Sequence, residues 1–460
     1  MTNRADAVLD RIRRHHGPRI TLGIGPAYRA LLEHLGNPQN RLPPVLHVAG
    51  TNGKGSTCAF ARALIEAAGL KAHVYTSPHL LRVHERIVLA GTPIGDDELT
   101  QRLEACESLA VASALSPFEV LTAVAFHAFA EHPADVAIIE VGLGGRLDAT
   151  NVVDHPVATA IARISFDHSD VLGPTLGVIA REKAGIMRAG VPCCLAPQPS
   201  EEARAALLHA AEEQNAPAWL GGRDWQVQAT DPHDSSPGFT FTGPEGLRLT
   251  LPTPALVGAH QRLNAGLALA MLQAAGLLPP EAAAREAMRK VRWPARLQRL
   301  DSGPFVNVTP PGWEIWLDGG HNDSAGEALA AQATVWQAED GANPRPLAVV
   351  WGMLARKNPE EFLAPLAPFI TALRAVPIAP EALHVIEGEG QCFSPDALAS
   401  QAYALGVSDS ASASDTPRAI LSAVVACAGQ AARAGRQALP GRVLITGSLY
   451  LARDVLQRGR

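Results

Sequence analysis

Lysine is scarce in this chain of 460 residues. Of its 39 basic side chains only Lys54, Lys71, Lys183, Lys290 and Lys357 are lysines, and two of those five fall inside the motifs described below. Long basic runs are missing and the formal net charge is −6. Nucleic-acid backbones and anionic membranes are therefore not expected partners. The six cysteines, Cys58, Cys106, Cys193, Cys194, Cys392 and Cys427, never stand in C-x-x-C spacing, which argues against a zinc knuckle or a redox pair. Reduced thiols fit a cytoplasmic protein. The apolar segment from Ala265 to Leu278 falls short of a membrane span and is interrupted by Gln273. The first 16 residues are charged and helical in pattern, without the apolar centre of a signal peptide.

What is present is a globular balance, 47% hydrophobic and 18% charged residues, in a chain too long for one ordinary core. Val- and Ile-rich runs alternate with alanine-rich stretches of helical period, the pattern of a mostly parallel sheet covered by helices. Val45 to Ala49, Ala72 to Thr76, Val136 to Val141, Val157 to Ile164 and Val191 to Leu195 are predicted strands of one α/β domain. Thr230 to Gly246 is expected to form a hairpin or excursion, followed by a helix from about Gln261 to Ala275. A second strand and helix series has strands at Glu314 to Leu317, Leu347 to Trp351, Leu373 to Val376 and Val443 to Thr446. The expected division is 1–300 and 301–460, with the join marked by Pro304, Pro310, Pro311 and Gly312. Ser408 to Thr416 is expected to be a surface loop.

The segment from Val45 to Thr57 reads as a buried strand, a glycine-rich loop and the start of an amphipathic helix that Gly69 stops. Glycines let backbone N–H groups turn inward around phosphate oxygens, and a helix N-terminus adds a favourable dipole. Thr51, Asn52, Gly53, Lys54, Gly55, Ser56 and Thr57 are the candidate nucleotide-binding residues, with Lys54 near the β- and γ-phosphates and Ser56 or Thr57 near a Mg²⁺. Gly55, between the lysine and the hydroxyl, departs from the commonest spacing of such loops. Glu140 ends an apolar strand and His168 follows another, so both are expected at the carboxyl edge of the sheet, beside the phosphate loop. Ser116, Pro117, Phe118 and Glu119 form a complete capping box at the start of a helix from Pro117 to Ala130. On pattern alone, Lys183 is a solvated lysine on a helix from Leu176 to Ala189, paired with its neighbour Glu182.

Ala49 to Cys58 resembles the phosphate loop of the folylpolyglutamate synthase/dihydrofolate synthase family, a branch of the Mur ligase superfamily. Further blocks similar to that family follow in the same order: Thr76 to Leu80, His84 to Ile87, Phe118-Glu119, Glu140 to Asn151, Asp167-His168, Arg181 to Ile186, His260 to Asn264, Trp293 to Leu297, Leu317 to Asn322 and Gly447 to Tyr450. They span nearly the whole chain. The resemblance implies a P-loop ATPase domain on a mostly parallel sheet, followed by a smaller Rossmann-like α/β domain for glutamate binding and closure. It implies ATP and Mg²⁺, with Ser77, Glu140 and His168 on the metal. It assigns Asn264, Arg296 and Asp318 to ATP, catalytic roles to Lys54, Lys183 and His321, and a CO₂-derived carbamate to Lys183. It places Arg19, Ile20, Thr21 and Leu22, the Ser116 to Glu119 turn, and Leu147, Asp148 and Ala149 against a pterin substrate.

The activity so implied is ATP-dependent addition of L-glutamate to dihydropteroate and to folates through an acyl phosphate, by a monomer acting on small molecules. A monofunctional folylpolyglutamate synthase, a peptidoglycan-type ligase and a regulatory P-loop ATPase are the alternatives. Ala295, where glycine is common, Gly320 and Asp323 around His321-Asn322, and the lack of an acidic residue in Met353 to Lys357 depart from the family pattern.

Overall fold

The computed structural model describes residues 4–17, 23–230, 237–379 and 391–459. Two compact units divide the chain. One comprises residues up to Ala255 together with His260–Trp293; the other comprises Leu256–Ala259 and the chain from Pro294 onward.

The first unit is built on β1 (Val45–Ala49), β2 (Ala72–Tyr75), β3 (Ile87–Leu89), β4 (Thr92–Pro93), β5 (Val136–Glu140), β6 (Ala158–Ile161), β7 (Cys193–Leu195) and β8 (Ala218–Leu220). Among the described residues these form one sheet in the order β4-β3-β2-β5-β1-β6-β7-β8. From β2 to β8 the strands run parallel, while β3 and β4 add an antiparallel edge. Every residue of β1 and β5 is buried, which is why these strands show as mostly apolar runs, interrupted by His47 in β1 and ended by Glu140 in β5. Val48 lies opposite Glu140, and His47 opposite Thr159, so the ends of β5, β1 and β6 are level. The helix Pro117–Glu131 packs Val120, Val124, Phe126 and Phe129 into a core shared with Tyr75, Ile139, Leu99 and Leu103. A separate core gathers Ile161, Leu195, Ile179 and Leu207. Burial of each such side chain contributes about 1.5–3 kcal/mol.

The stretch predicted as a hairpin belongs to a three-stranded antiparallel sheet of β9 (Gln226–Ala229), β10 (Gly238–Thr242) and β11 (Arg248–Pro252), with β10 central. The following helix is Ala259–Ala274.

The second unit carries β12 (Gln298–Leu300), β13 (Glu314–Leu317), β14 (Leu347–Trp351), β15 (Ile370–Ala375), β16 (Ser410–Ser412) and β17 (Arg442–Thr446), in the order β12-β13-β17-β14-β15-β16. All but β12 pair in parallel. Trp316, Trp336, Trp351 and Phe362 dominate its core.

Three expectations are corrected. Ser408 to Thr416 is not merely a loop, because Ser410–Ser412 pairs with Leu373 to Ala375 as the edge strand β16. An edge strand needs only backbone partners on one side, so its polar side chains gave no strand signal. β6 ends at Ile161 rather than near Ile164, because the chain turns there to meet the phosphate loop. The helix from Leu176 ends at Ala184, not at Ala189. Gly185 caps it, and a Cβ there would lie 2.3 Å from that of Arg146.

Within the second unit Arg442 is clamped bidentately by Asp340 at 2.7 and 2.9 Å, with its guanidinium 5.2 Å from the ring centroid of Trp336. The Arg442 hydrogen bonds hold the Asp340 carboxyl below its ordinary pKa. Both side chains are almost fully buried. Arg442→Met should therefore leave a buried carboxylate unpaired and cost about 3 kcal/mol, read as a lower urea midpoint with the fold retained. A variant of unchanged midpoint would show the pair to be energetically neutral.

Candidate active site

The glycine-rich loop joins the end of β1 to the helix Lys54–Ala67. Each of its glycines has its own steric reason. Gly50 has φ +136° and lies so close to the next strand that a Cβ would sit 2.7 Å from the Ala162 Cβ. Gly53 has φ +100° and faces Asn264, whose Oδ1 would be 2.4 Å from an added Cβ. At Gly55 a Cβ would meet the Trp293 indole at 3.0 Å, which explains the glycine that sets this loop apart from the commonest spacing. The backbone is also tied from the far side: Thr51 and Asn52 donate their N–H groups to the Arg163 carbonyl at 2.9 and 3.1 Å, and Thr51 Oγ1 donates to the Ser165 carbonyl at 3.1 Å. Lys54 Nζ is held over the loop by the carbonyls of Gly50 at 3.0 Å and Thr51 at 3.4 Å. Ser56 and Thr57 are buried in the first helical turn, and Thr57 Oγ1 has no hydrogen-bond partner.

The carboxyl edge of the same sheet brings Ser77 and Glu140 together. Ser77 N–H donates to Glu140 Oε2 at 3.2 Å, and Glu140, at the end of β5, is 3% exposed. His168 occupies the N-cap of the short helix Ser169–Leu172 with φ +51°, its side chain making no capping bond, and its N–H donates to Asp167 Oδ1 at 2.9 Å. Among the described residues no three His, Cys, Asp or Glu side chains converge into a ready metal cage. The donor set nevertheless suits a hard cation that keeps phosphate and water in its shell: a buried carboxylate at Glu140, and a buried, unpartnered hydroxyl at Thr57.

Lys183 is not the solvated lysine that local pattern suggests. Glu182 pairs with Arg146 instead, at 2.8 Å, and Lys183 is 4% exposed. Burial, reinforced by the positive charge of Lys54, lowers its ammonium pKa from 10.5 to about 7. The helix that carries it is pressed against the loop after β5: Arg146 N–H donates to the Glu182 carbonyl at 2.8 Å, and at Gly145 a Cβ would lie 2.8 Å from the carbonyls of Glu182 and Lys183.

That loop also links both segments assigned to a pterin. At one end Phe118 packs its ring on Gly142, where an added Cβ would be 2.3 Å away, and lies 6.1 Å from the Tyr75 ring centroid. Phe118 is presented by the predicted capping box: Ser116 Oγ accepts from Glu119 N–H at 3.2 Å and Glu119 Oε2 accepts from Ser116 N–H at 2.8 Å. At the other end Leu147 O accepts from Gly23 N–H at 3.1 Å and Ala149 O from the Tyr28 hydroxyl at 3.0 Å. Between them Asp148 is buried, accepting from Leu143 N–H and Thr150 N–H, each at 2.9 Å. Desolvation raises its carboxyl pKa. Arg19, Ile20, Thr21 and Leu22 lie outside the described residues.

In the second unit Arg296, Asp318 and His321 are neighbours. Asp318 accepts from Leu297 N–H at 2.8 Å and Gly320 N–H at 2.7 Å, and His321 Nδ1 lies 3.2 Å from the Gly319 carbonyl. A Cβ on Gly319 would meet Arg296 Nη1 at 3.4 Å. Asn322 caps the helix Asp323–Asp340 through Ala325 N–H. Ala295 has φ +55°, a left-handed conformation in which glycine is unstrained, so the family's preference there has a backbone cause.

No protein-family model matches the chain. It is 34% identical over 460 residues to the dihydrofolate synthase/folylpolyglutamate synthase of Bacillus subtilis, covering 96% of this chain and 97% of that one. The chain belongs to the dihydrofolate synthase/folylpolyglutamate synthase family. Solved structures agree: E. coli FolC in complex with DHPP and ADP superposes with a TM-score of 0.79 at 29% identity, over 99% of this chain and 97% of that one. A bifunctional folylpolyglutamate synthase/dihydrofolate synthase with Mn, AMPPNP and L-glutamate bound gives 0.76 at 28% identity, over 99% and 98%. As a member of this ligase family, the chain has the α/β architecture expected from its sequence, and it is an ATP-dependent ligase. No helix among the described residues is long and apolar enough to cross a membrane.

Sequence reasoning missed the residues that brace the loop from outside, namely Arg163, Ser165 and Trp293, and also Gln261, which is bonded to Asn264. Gln261 and Trp293 stand inside recognisable blocks, but nothing local says what they touch. Gly53→Ala should push Asn264 away and strain the loop, weakening ATP binding by about tenfold or more at a stability cost of about 1–2 kcal/mol. Titration calorimetry with ATP checks it, and undiminished affinity would contradict the geometry.

Proposed function

We propose that this ligase joins L-glutamate to dihydropteroate, forming dihydrofolate, and to folates, forming polyglutamates. The observation that carries the reading is the glycine loop with Lys54 at one sheet edge beside Ser77 and Glu140, in a chain similar along its whole length to bifunctional relatives. A carboxylate and an amine do not condense unaided in water, so the carboxylate is first activated. Its oxygen attacks the γ-phosphorus of ATP, ADP leaves, and an acyl phosphate remains. The glutamate nitrogen then attacks the acyl carbon, a proton is lost, inorganic phosphate departs, and the amide is made.

In this reading Thr51 to Thr57 form the nucleotide loop: the backbone N–H groups of Gly53 to Ser56 meet the phosphates, those of Thr51 and Asn52 stay on the Arg163 carbonyl, and Lys54 offsets charge on the transferred phosphoryl oxygens. Mg²⁺, held by Ser77, Glu140 and His168, supplies further neutralisation of phosphate charge when bound. Asn264, Arg296 and Asp318 are assigned to the nucleotide and His321 to catalysis. Phe118, with Ser116, Pro117 and Glu119, and the Leu147, Asp148 and Ala149 segment are assigned to the pterin. Arg19 to Leu22 belong to the same assignment.

Lys183 has the property a carbamate requires. With its pKa near 7, much of the amine is neutral at physiological pH and can attack CO₂, forming an N–C bond and releasing a proton. The product is an anion in place of a cation beside Lys54.

Purified protein given ATP, glutamate and dihydropteroate should release phosphate only when all three are present, and likewise with a reduced folate in place of dihydropteroate. Turnover with folate alone would identify a monofunctional folylpolyglutamate synthase, and turnover without either acceptor a regulatory ATPase. Lys183→Ala should lose most activity and regain part of it with short carboxylates. In the unsubstituted enzyme activity should fall as pH drops through about 7, where protonation competes with CO₂, and added bicarbonate should soften the fall. Indifference to both treatments would remove the carbamate.

A further inference from the structure

Asn264 faces the phosphate loop with its carboxamide oxygen: Oδ1 is the atom that an added Cβ on Gly53 would strike, at 2.4 Å, while the nitrogen Nδ2 would be 3.4 Å away. A primary amide can present either end, and the two ends differ chemically, one accepting and the other donating. Something must choose between them. The neighbour that does so is one helical turn back on the helix Ala259–Ala274, where Gln261 Oε1 accepts a hydrogen bond from Asn264 Nδ2 at 3.0 Å. Gln261 is 1% exposed, and its own Nε2 is buried without a hydrogen-bond partner. A buried amide that leaves a donor unsatisfied costs stability, so packing alone would favour leucine or methionine at this position. Its one satisfied atom is the acceptor that holds Asn264.

We propose that Gln261 is a positioning residue for the nucleotide: by accepting from Asn264 Nδ2 it commits the Asn264 carbonyl oxygen to the side of the phosphate loop. The inference rests on the assignment of Asn264 to ATP. Gln261 itself touches no reacting atom. Its removal frees the Asn264 amide to rotate, so that an acceptor is offered only part of the time, and the loss falls on nucleotide binding rather than on the chemical step. Orientation also predicts an asymmetry that simple packing does not. A glutamate at position 261 keeps the acceptor but brings a carboxyl into a site 1% exposed, so Gln261→Glu should lose stability yet hold ATP better than the nearly isosteric Gln261→Leu.

The test is steady-state kinetics of the full-length enzyme with ATP varied, on Gln261→Leu, Gln261→Glu, Asn264→Ala and the double variant Gln261→Leu/Asn264→Ala, with Gln261→Met as a second apolar replacement should the leucine variant fold poorly. Gln261→Leu should raise the KM for ATP by about tenfold with kcat within a factor of about two, the size expected for one hydrogen bond. Gln261→Glu should raise that KM less than Gln261→Leu does. In the Asn264→Ala background Gln261→Leu should add nothing, because the residue it positions is gone. An unchanged KM in the well-folded leucine or methionine variant, a KM raised equally by glutamate, or full additivity in the double variant would each overturn the proposal. Failure of the underlying assignment looks different: Asn264→Ala alone would then leave the KM for ATP unaltered, and the role of Gln261 would fall with it.

Discussion

The first unit depends on how closely backbone can approach backbone around residues 50 to 55. Three glycines there have no room for a side chain, each against a different partner: Ala162 just after β6, Asn264 from the helix after the antiparallel sheet, and Trp293 from the end of the unit. The loop is thus packed from several directions, and its N–H groups at Thr51 and Asn52 are pinned to the Arg163 carbonyl. Such bracing fixes the left-handed conformation that glycine allows at position 53, and it is what makes an anion cradle rigid before any anion arrives.

Electrostatics follow from that packing. Glu140 ends β5 level with the end of β1, from which the loop leads to Lys54, because parallel strands deliver their carboxyl ends together, and the charge of Lys54 reaches the buried amine of Lys183. Two lysines in proximity, one of them desolvated, cannot both keep full charge at neutral pH, and the more buried one yields. The scarcity of lysine in the chain sharpens the point. Arginine, which carries most of the positive charge, would stay protonated in the same place.

Much of the fold was legible because its signals are local. Five strands announced themselves by short, mostly apolar runs, and the capping box at Ser116 and Glu119 formed as its spacing requires. Where local signals were silent, expectation failed. β16 is polar on its exposed side and so resembled a loop, and the helix bearing Lys183 stops at Gly185 because the Arg146 backbone leaves no room beside it.

The sequence by itself determined that a strand, a glycine loop and a helix follow one another at Val45 to Ala67, that Glu140 ends a strand, and that blocks of a ligase family occur in order. These are properties of neighbouring residues, set by backbone conformation and periodicity. Only the tertiary structure decided which way the Asn264 amide points, what occupies the space beside each glycine, and that Lys183 is a buried amine and not the partner of Glu182. Desolvation and amide orientation are sums over every atom that surrounds a group, and those atoms come from segments far apart in the chain.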